Sequence, residues 1–301
     1  PLPVSSMQPP LSLPQIQSPR RLRLFASMLA VFATGLWPAG AAGAETPTVT
    51  PRETVVLFNG KDLSNFYTWI AGQGLQDPDR VFTVVDRIDG APAIRMTGQR
   101  FGGIITKERY AHYRLVAEFR WGHVTWEPRK NRTRDSGILL HCQGEEGNYN
   151  PDFSAAWMRS VEYQFIEGGT GDVILVRGHD RGAKEPTYPT VKATVTPGTK
   201  RWDPTGKLEQ FGKGKNRVDA GYKDPNWKDV LGFRGPRDAE KPVGEWNQVE
   251  VICDGGNLTY LLNGVKVNEL RDGSFTEGKI LFQSEGAELF FRKIELHPLR
   301  K

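Results

Sequence analysis

Three polar side chains with complementary proton chemistry lie on two neighbouring apolar segments of the sequence: His141, Glu162 and Gln164. Both segments alternate with period two, which predicts half-buried strands. Glu162 and Gln164 share the face opposite Tyr163, and His141 falls on the face opposite Leu140. If the strands pair, an acid, an imidazole and an amide would share one outer face, as proton transfer requires. Ordinary solvated positions of an amphipathic sheet would show the same pattern.

A third segment, Tyr113 to Trp121, also alternates strictly between apolar and polar residues. Its apolar positions predict a core-facing side, and Glu118 and Arg120 fall on the opposite side. We expect this charged face to extend the polar surface that carries His141 and Glu162.

The remaining pattern predicts an all-β protein, because short strands alternate with Gly, Asn-Gly and charged turns and no amphipathic run is long enough for a helix. A dozen or so such strands favour a two-sheet antiparallel sandwich or jelly roll. The weakly apolar region at about 178–245 contains one candidate strand, Val191 to Val195. We interpret this region as an insertion into a single domain spanning 53–301, since it lacks the apolar content for a core of its own.

Composition and charge narrow the class of protein. Hydrophobic residues make up 38% of the chain and charged residues 25%, which is typical of a globular protein. Three of the five net positive charges come from Arg20, Arg21 and Arg23, so the chain from Glu45 onward carries a net charge of only +2. With no basic run in that part, we expect no nucleic-acid partner.

Residues 1–44 have the pattern of a secretory signal. The three arginines precede an apolar run, Leu24 to Leu36, and Ala42-Gly43-Ala44 follows it as a cleavage motif. The run is short for a membrane span, although an uncleaved anchor is the alternative. We therefore expect cleavage after Ala44, a linker over 45–52, and a periplasmic or extracellular protein with no membrane span after cleavage.

Cys142 and Cys253 are the two cysteines of the chain. Each follows an apolar strand, so two separate buried thiols and one disulfide both fit an exported protein. No C-x-x-C and no His/Cys spacing typical of a metal site occurs, so we expect neither a metal nor a cofactor.

An ordered set of blocks resembles the 3-keto-disaccharide hydrolase domain family. The blocks are LFNGKDLSNF (57–66), YRLVAEFRW (113–121), DSGILLH (135–141), SVEYQFIEGGTGD (160–172), GEWNQVEVICDG (244–255), LNGVKVNE (262–269) and LFQSEGAELFFRKIELHPL (281–299). The resemblance implies a concanavalin-A-like lectin/glucanase fold with a sugar-binding face. It also implies substrates whose glucose unit carries a ketone at C3, so we expect a carbohydrate partner.

Glucanases of this fold carry an E-x-D-x-E pattern on one strand for a retaining mechanism. Here the strand runs from Glu162 through Gln164 to Glu167, so the middle acid is an amide and the last acid has the wrong parity. This departure favours removal of the C2 proton beside the ketone, expulsion of the group on C1, and hydration of the resulting enone.

In this mechanism Glu162 and His141 would be the catalytic base and acid, in either order. Arg134 could hold the developing enolate or a hydroxyl. Trp157 could stack on a sugar ring or pack under its own loop, while Gln164, Gln283 and Glu285 could bind substrate beside it. Glu118 and Arg120 join them as expected substrate-binding residues. A non-catalytic carbohydrate-binding module and an ordinary glycoside hydrolase remain as alternative functions.

Overall fold

The computed structural model describes residues 47–299, and these residues form strands and turns without a helix. The strands are β1 (Thr48–Val49), β2 (Val55–Val56), β3 (Phe66–Ile70), β4 (Phe82–Ile88), β5 (Ala91–Met96), β6 (Gly102–Thr106), β7 (Arg109–Ala111), β8 (Tyr113–Thr125), β9 (Asp135–Gln143), β10 (Arg159–Ile166), β11 (Asp172–Val176), β12 (Val191–Val195), β13 (Lys207–Phe211), β14 (Arg217–Val218), β15 (Asn247–Asp254), β16 (Asn257–Leu262), β17 (Val265–Leu270), β18 (Glu277–Ser284) and β19 (Ala287–Pro298). The strand segments predicted around His141, around Glu162, at 113–121 and at 191–195 are confirmed as β9, β10, β8 and β12.

The strands form two large sheets and one hairpin. The nine-stranded sheet follows the order β1-β7-β18-β9-β10-β11-β14, with β6 on β18 and β3 on β6. The eight-stranded sheet follows the order β17-β16-β15-β8-β19-β5-β4, with β2 on β19. All pairs are antiparallel except β1 with β7. The chain is therefore a two-sheet antiparallel jelly roll of the concanavalin-A-like type.

The main core lies between the two large sheets, where alternate side chains of each strand interdigitate. Tyr163 of β10 stacks on Tyr260 of β16 with ring centroids 4.4 Å apart. Phe165 stacks on Phe119 of β8 at the same distance. Because these aromatic pairs fix which face of β10 is buried between the sheets, they also fix the outward direction of Glu162 and Gln164.

A second, smaller apolar cluster covers the outer face of the nine-stranded sheet. Its buried members come from three strands, β6, β9 and β18, and from the loop before β10: Ile105, Leu139, Cys142, Met158 and Leu281. Cys142 lies in this outer cluster, whereas Cys253 lies in the main core between the sheets. Both cysteines are free thiols, so of the two predicted alternatives the structure has the separate buried thiols.

The insertion at about 178–245 packs against the sandwich instead of forming a core apart from it. It contributes the β12–β13 hairpin and adds β14 to the edge of the nine-stranded sheet. Buried Glu167 anchors it, since its backbone oxygen accepts from Trp227 Nε1 at 3.0 Å and its Oε2 accepts from the backbone of Gly232 at 3.0 Å. The insertion thereby reaches the edge of the outer face that carries Glu162.

Residues 47–299 belong to one compact unit. Within residues 47–299, no helix is long and apolar enough to cross a membrane. The predicted signal segment, 1–44, lies outside the described residues.

Candidate active site

Glu162 and Gln283 approach each other on the outer face of the nine-stranded sheet because a glycine separates them. Gly137 of β9 lies between β10 and β18 and pairs with Gln164. A Cβ at Gly137 would lie 2.6 Å from Gln283 Oε1 and 2.7 Å from Glu162 Oε1, which is closer than real contacts allow. The missing side chain therefore creates the space in which these two groups meet.

A cavity of about 300 Å³ opens above this point, at the lower end of the range for small-molecule sites. Its floor consists of Glu162 and Gln164 from β10 and Gln283 from β18, with Glu285 immediately after that strand. Trp157 lines it from the loop before β10. Five of the predicted site residues thus lie together around one cavity, and their roles stay predictions.

The rest of the lining comes from segments that the sequence analysis did not assign to a site. Arg129 and Asp135 line one end from the β8–β9 connection and the start of β9. Arg177 immediately follows β11. Tyr149 is not new in this sense, because it lies in the same β9–β10 loop as Trp157 and its aromatic ring suits the same role of stacking on a sugar. The insertion adds three more lining residues: Tyr188, Asn216 and Arg217. The charged and aromatic residues of the insertion could have indicated that it contributes to a site. The sequence did not show which strands the insertion packs against, so the individual residues could not be assigned.

Two of the three carboxyl groups that line the cavity, Glu162 and Glu285, have raised pKa values. Burial raises the pKa of Glu162 well above its usual range, and the nearby charge of Glu285 raises it further. Arg217 and a hydrogen bond with Gln283 oppose this shift only in part. Burial raises the pKa of Glu285 to about 7, against the attraction of Arg129. Burial therefore favours the protonated form of Glu162, while Glu285 is partly ionised near neutral pH.

Two of the three arginines that line the cavity, Arg129 and Arg217, form ion pairs with carboxylates that hold them in place. Arg129 pairs with Asp135 and, at 3.2 Å, with Asp229 of the insertion. Gln164 Nε2 donates to Asp135 Oδ1 at 2.8 Å, so this acid also positions the amide. Because the partners hold Arg129 in one geometry, it can direct positive charge at an oxygen that becomes negative during a reaction.

Arg217, the second paired arginine, is held by fully buried Asp172. Its Nε donates to Asp172 Oδ2 at 3.1 Å, and Asp219 pairs with the same guanidinium at 3.3 Å. The charge of Arg217 favours the ionised form of Glu162. Arg217 is thus a preorganised cation on the Glu162 side of the cavity.

His141 does not share the outer face with Glu162, and that prediction is wrong. The β9–β18 and β9–β10 registers both shift next to it, and His141 takes a left-handed conformation with φ of 53°. This bulge interrupts the alternation, as bulges do. The ring packs edge-on against Tyr113 of the opposite sheet, with centroids 6.1 Å apart, and Nδ1 lies 3.1 Å from the Phe275 oxygen. Burial lowers the pKa of His141 to about 4, so the ring is neutral and lies in the interior.

The prediction that Arg134 belongs to the site is also wrong. Arg134 lies in a buried ion pair and does not line the cavity. Its Nη1 is 2.8 Å from Glu167 Oε1, and its Nε donates to the Gly122 oxygen at 3.0 Å. Both charged groups are almost fully buried. Such a pair would be costly to break, because either charge alone would be left without a partner.

Glu118 and Arg120 lie on the other side of the molecule from the cavity. Both belong to β8, which lies in the eight-stranded sheet, so its polar face cannot extend the surface around Glu162. Glu118 accepts from Arg292 at 2.6 Å, and Arg120 pairs with Asp89 at 2.5 Å. The prediction failed because alternation shows which side chains share a face but not which sheet a strand joins.

Within residues 47–299, no group of three or more His, Cys, Asp or Glu side chains could hold a metal ion. The polar groups that converge on the cavity are carboxyls, amides and guanidinium groups. Their chemistry suits proton transfer and the binding of hydroxyl or carbonyl oxygens.

A jelly roll with an acid-lined cavity on the outer face of one sheet has the architecture of a carbohydrate-active protein of the concanavalin-A-like class. The chain belongs to the 3-keto-alpha-glucoside-1,2-lyase-like domain family, whose model matches residues 53–297. Among curated proteins, none matches this chain.

Three solved structures are partly similar to this chain. A glycosyl hydrolase candidate from Parabacteroides distasonis ATCC 8503 is 20% identical, covers 82% of this chain and 94% of its own, and has a TM-score of 0.45. A Bacillus licheniformis β-glucanase is 8% identical over 81% and 97% of the two chains, with a TM-score of 0.40. A carbohydrate-binding module from Bacillus subtilis is 11% identical over 71% and 91%, with a TM-score of 0.37.

Proposed function

We propose that the protein cleaves 3-keto-glycosides by elimination across C1 and C2, followed by hydration. The observation that carries the proposal is the pair Glu162 and Glu285 in one cavity, where burial raises the pKa of both carboxyl groups. One protonated and one ionised carboxyl group supply an acid and a base at the same pH. Membership of a family described by 1,2-lyase chemistry supports the same reaction.

In this reaction Glu285 is the base and Glu162 the acid. The ionised Glu285 removes the proton on C2, and the electron pair of that bond forms the C1–C2 double bond as the C1–oxygen bond breaks. Glu162 transfers its proton to the departing oxygen. Addition of water, with hydroxyl at C1 and a proton at C2, completes a net hydrolysis.

Negative charge develops on the C3 oxygen while the C2 proton is being removed. The guanidinium group of Arg129 lines the cavity, acts on Glu285 and is fixed by carboxylates, so it replaces Arg134 as the candidate for stabilising this oxygen. Preorganised donors of this kind are usually the largest contribution to such a step.

An ordinary glycoside hydrolase is the second candidate function, because two carboxyl groups in one cavity also suit displacement at C1. The outward face of β10 argues against this function. Its alternate residues are Glu162, Gln164 and Ile166, whereas a retaining glucanase would carry acids at all three positions.

The test uses 3-keto-trehalose, 3-keto-glucosides and their unoxidised parents as substrates in D₂O. We expect release of glucose or aglycone from the keto compounds alone, with deuterium at C2 of the released keto sugar after subtraction of a control without enzyme. Cleavage of the parents alone would support the ordinary hydrolase. Binding without cleavage of any compound would support a carbohydrate-binding module. Full turnover without enzyme-dependent label at C2 would contradict elimination.

A further inference from the structure

Arg177 is a cavity cation without a fixed anion. Among the residues that the structure describes, no carboxylate lies within ion-pair distance of its guanidinium, whereas Arg129 and Arg217 each have two partners. Its Nε is shielded from solvent and has no hydrogen-bond acceptor. A charged group without a partner is costly, so an anion in the cavity that pairs with the guanidinium would gain binding free energy.

The guanidinium is held in place by an aromatic ring. Its Cζ lies 4.6 Å from the centroid of Tyr149, over the ring face. This cation–π contact holds the guanidinium at the cavity without neutralising its charge. A carboxylate is the anion that suits a guanidinium best, because its two oxygens can accept from two N–H groups at once.

Strand register places Arg177 at one end of the cavity and the Glu285 side at the other. Arg177 follows Val176, which pairs with Ser160 at the start of β10. Asp135, which pairs with Arg129, lies opposite Ile166 at the end of β10. Six residues of strand, roughly 20 Å, separate these two levels. Glu162 lies between them.

This order assigns the two halves of a glycoside to the two ends. Under the proposed function, Glu285 faces C2 of the keto sugar and Glu162 faces the departing oxygen. The departing group then extends from Glu162 toward Arg177, Tyr149 and Tyr188. We propose that this end is a subsite for an aglycone that carries a carboxylate, with Arg177 as the residue that sets specificity. The inference rests on the proposed function for its orientation, though not for the anion site itself.

The test compares two matched substrates, the 3-keto-glucosides of 4-hydroxybenzoate and 4-hydroxybenzamide. The measured quantity is the ratio of their kcat/KM values, carboxylate over amide. We expect Arg177→Gln to lower this ratio by about tenfold or more, since a charge-assisted hydrogen bond is lost for one substrate alone. Differences in leaving-group chemistry cancel because the same pair is compared in both enzymes.

Arg181→Gln is the matched control. Arg181 also stacks on an aromatic ring, Phe153, at 4.5 Å, but it is exposed, pairs with Glu145 and does not line the cavity. This variant should leave the ratio unchanged. An equal loss for both substrates in Arg177→Gln, or an unchanged ratio, would overturn the proposal.

Calorimetry of the free aglycones separates this inference from the proposed function. The wild-type protein should bind 4-hydroxybenzoate more tightly than 4-hydroxybenzamide, and Arg177→Gln should abolish that preference. If no keto-glycoside is cleaved but the preference is present and depends on Arg177, the anion subsite stands and the proposed reaction fails. No preference in the wild-type protein would overturn the subsite.

Discussion

At the residue scale, the decisive feature is the difference in surroundings between Glu162 and Glu285. Burial and the charge of Glu285 raise the pKa of Glu162 well above its usual range, which favours its protonated form. Burial also raises the pKa of Glu285, to about 7, but Arg129 opposes this shift. A carboxylic acid that stays neutral at neutral pH can donate its proton, and a neighbouring carboxylate can accept one. The roles of the two residues therefore follow from burial, not from residue type.

This difference predicts the pH dependence of kcat/KM. Below pH 7, protonation of Glu285 removes the base, so the rate should fall about tenfold per pH unit as the pH decreases. At high pH, ionisation of Glu162 removes the acid, so the rate should fall again. Glu285→Gln and Glu162→Gln should each lower the rate roughly 10²-fold or more. Glu285→Gln should also remove the acidic limb from the residual profile, and Glu162→Gln the basic limb.

His141→Asn is the control for this measurement. Asparagine tolerates the left-handed backbone at this position, and the ring does not line the cavity. The acidic limb should keep its midpoint near pH 7 in this variant. A limb that disappears with His141, or one that persists in Glu285→Gln, would contradict the assignment of the base.

At the element scale, the structure shows what period-two patterns can and cannot specify. The faces of β10 were predictable because Tyr163 and Phe165 are large and apolar, so burial has one solution. The bulge at His141 was not predictable. One extra residue in a strand reverses the face of the residues after it but leaves the apolar pattern of the sequence unaltered. The sheet that β8 joins depends on long-range pairing with β15 and β19, which leaves no local signal.

The insertion is the element whose function was least predictable, and it supports the cavity through Asp229. This carboxylate accepts from Thr133 Oγ1 at 2.6 Å and pairs with Arg129, which in turn favours ionisation of Glu285. Long loops of this kind in compact domains are commonly functional.

Asp229→Asn tests this support. Loss of one of the two carboxylates that hold Arg129 should loosen its position and lower kcat/KM by roughly three- to tenfold, because a misplaced charge stabilises the reacting oxygen less well. The acidic limb should move to lower pH, since Arg129 is then neutralised by Asp135 alone and favours the ionised form of Glu285 more strongly. The loss of unfolding free energy should be about 1 kcal/mol, as the pair is partly exposed.

Arg132→Gln is the control for this variant. Arg132 also pairs with Asp229, at 3.6 Å, but is largely exposed, so its replacement should change neither kcat/KM nor the unfolding free energy. An Asp229→Asn enzyme with wild-type kinetics would show that the insertion does not position Arg129.

At the scale of the whole molecule, the fold and the family match are confined to the same part of the chain. The family model covers residues 53–297, and the first described strand begins at Thr48. The sequence from Glu45 onward has a net charge of only +2, because the three arginines before the apolar run lie outside it. All the cavity residues belong to this part, so residues 1–44 are not needed for the proposed chemistry.

We therefore propose that the protein is exported and that cleavage follows Ala44, as the Ala42-Gly43-Ala44 motif predicts. Mass spectrometry of the exported protein should find Glu45 at the N-terminus. A protein that begins at Glu45 should retain the thermal midpoint and the kcat/KM of the exported form, since its first strand and every cavity residue are present. An exported protein that retains Leu24 to Leu36 would show an uncleaved anchor instead. A thermal midpoint several degrees lower in the version beginning at Glu45 would show that the preceding residues stabilise the sandwich, because a change of 1 kcal/mol shifts the midpoint of a domain this size by about 2–4 °C.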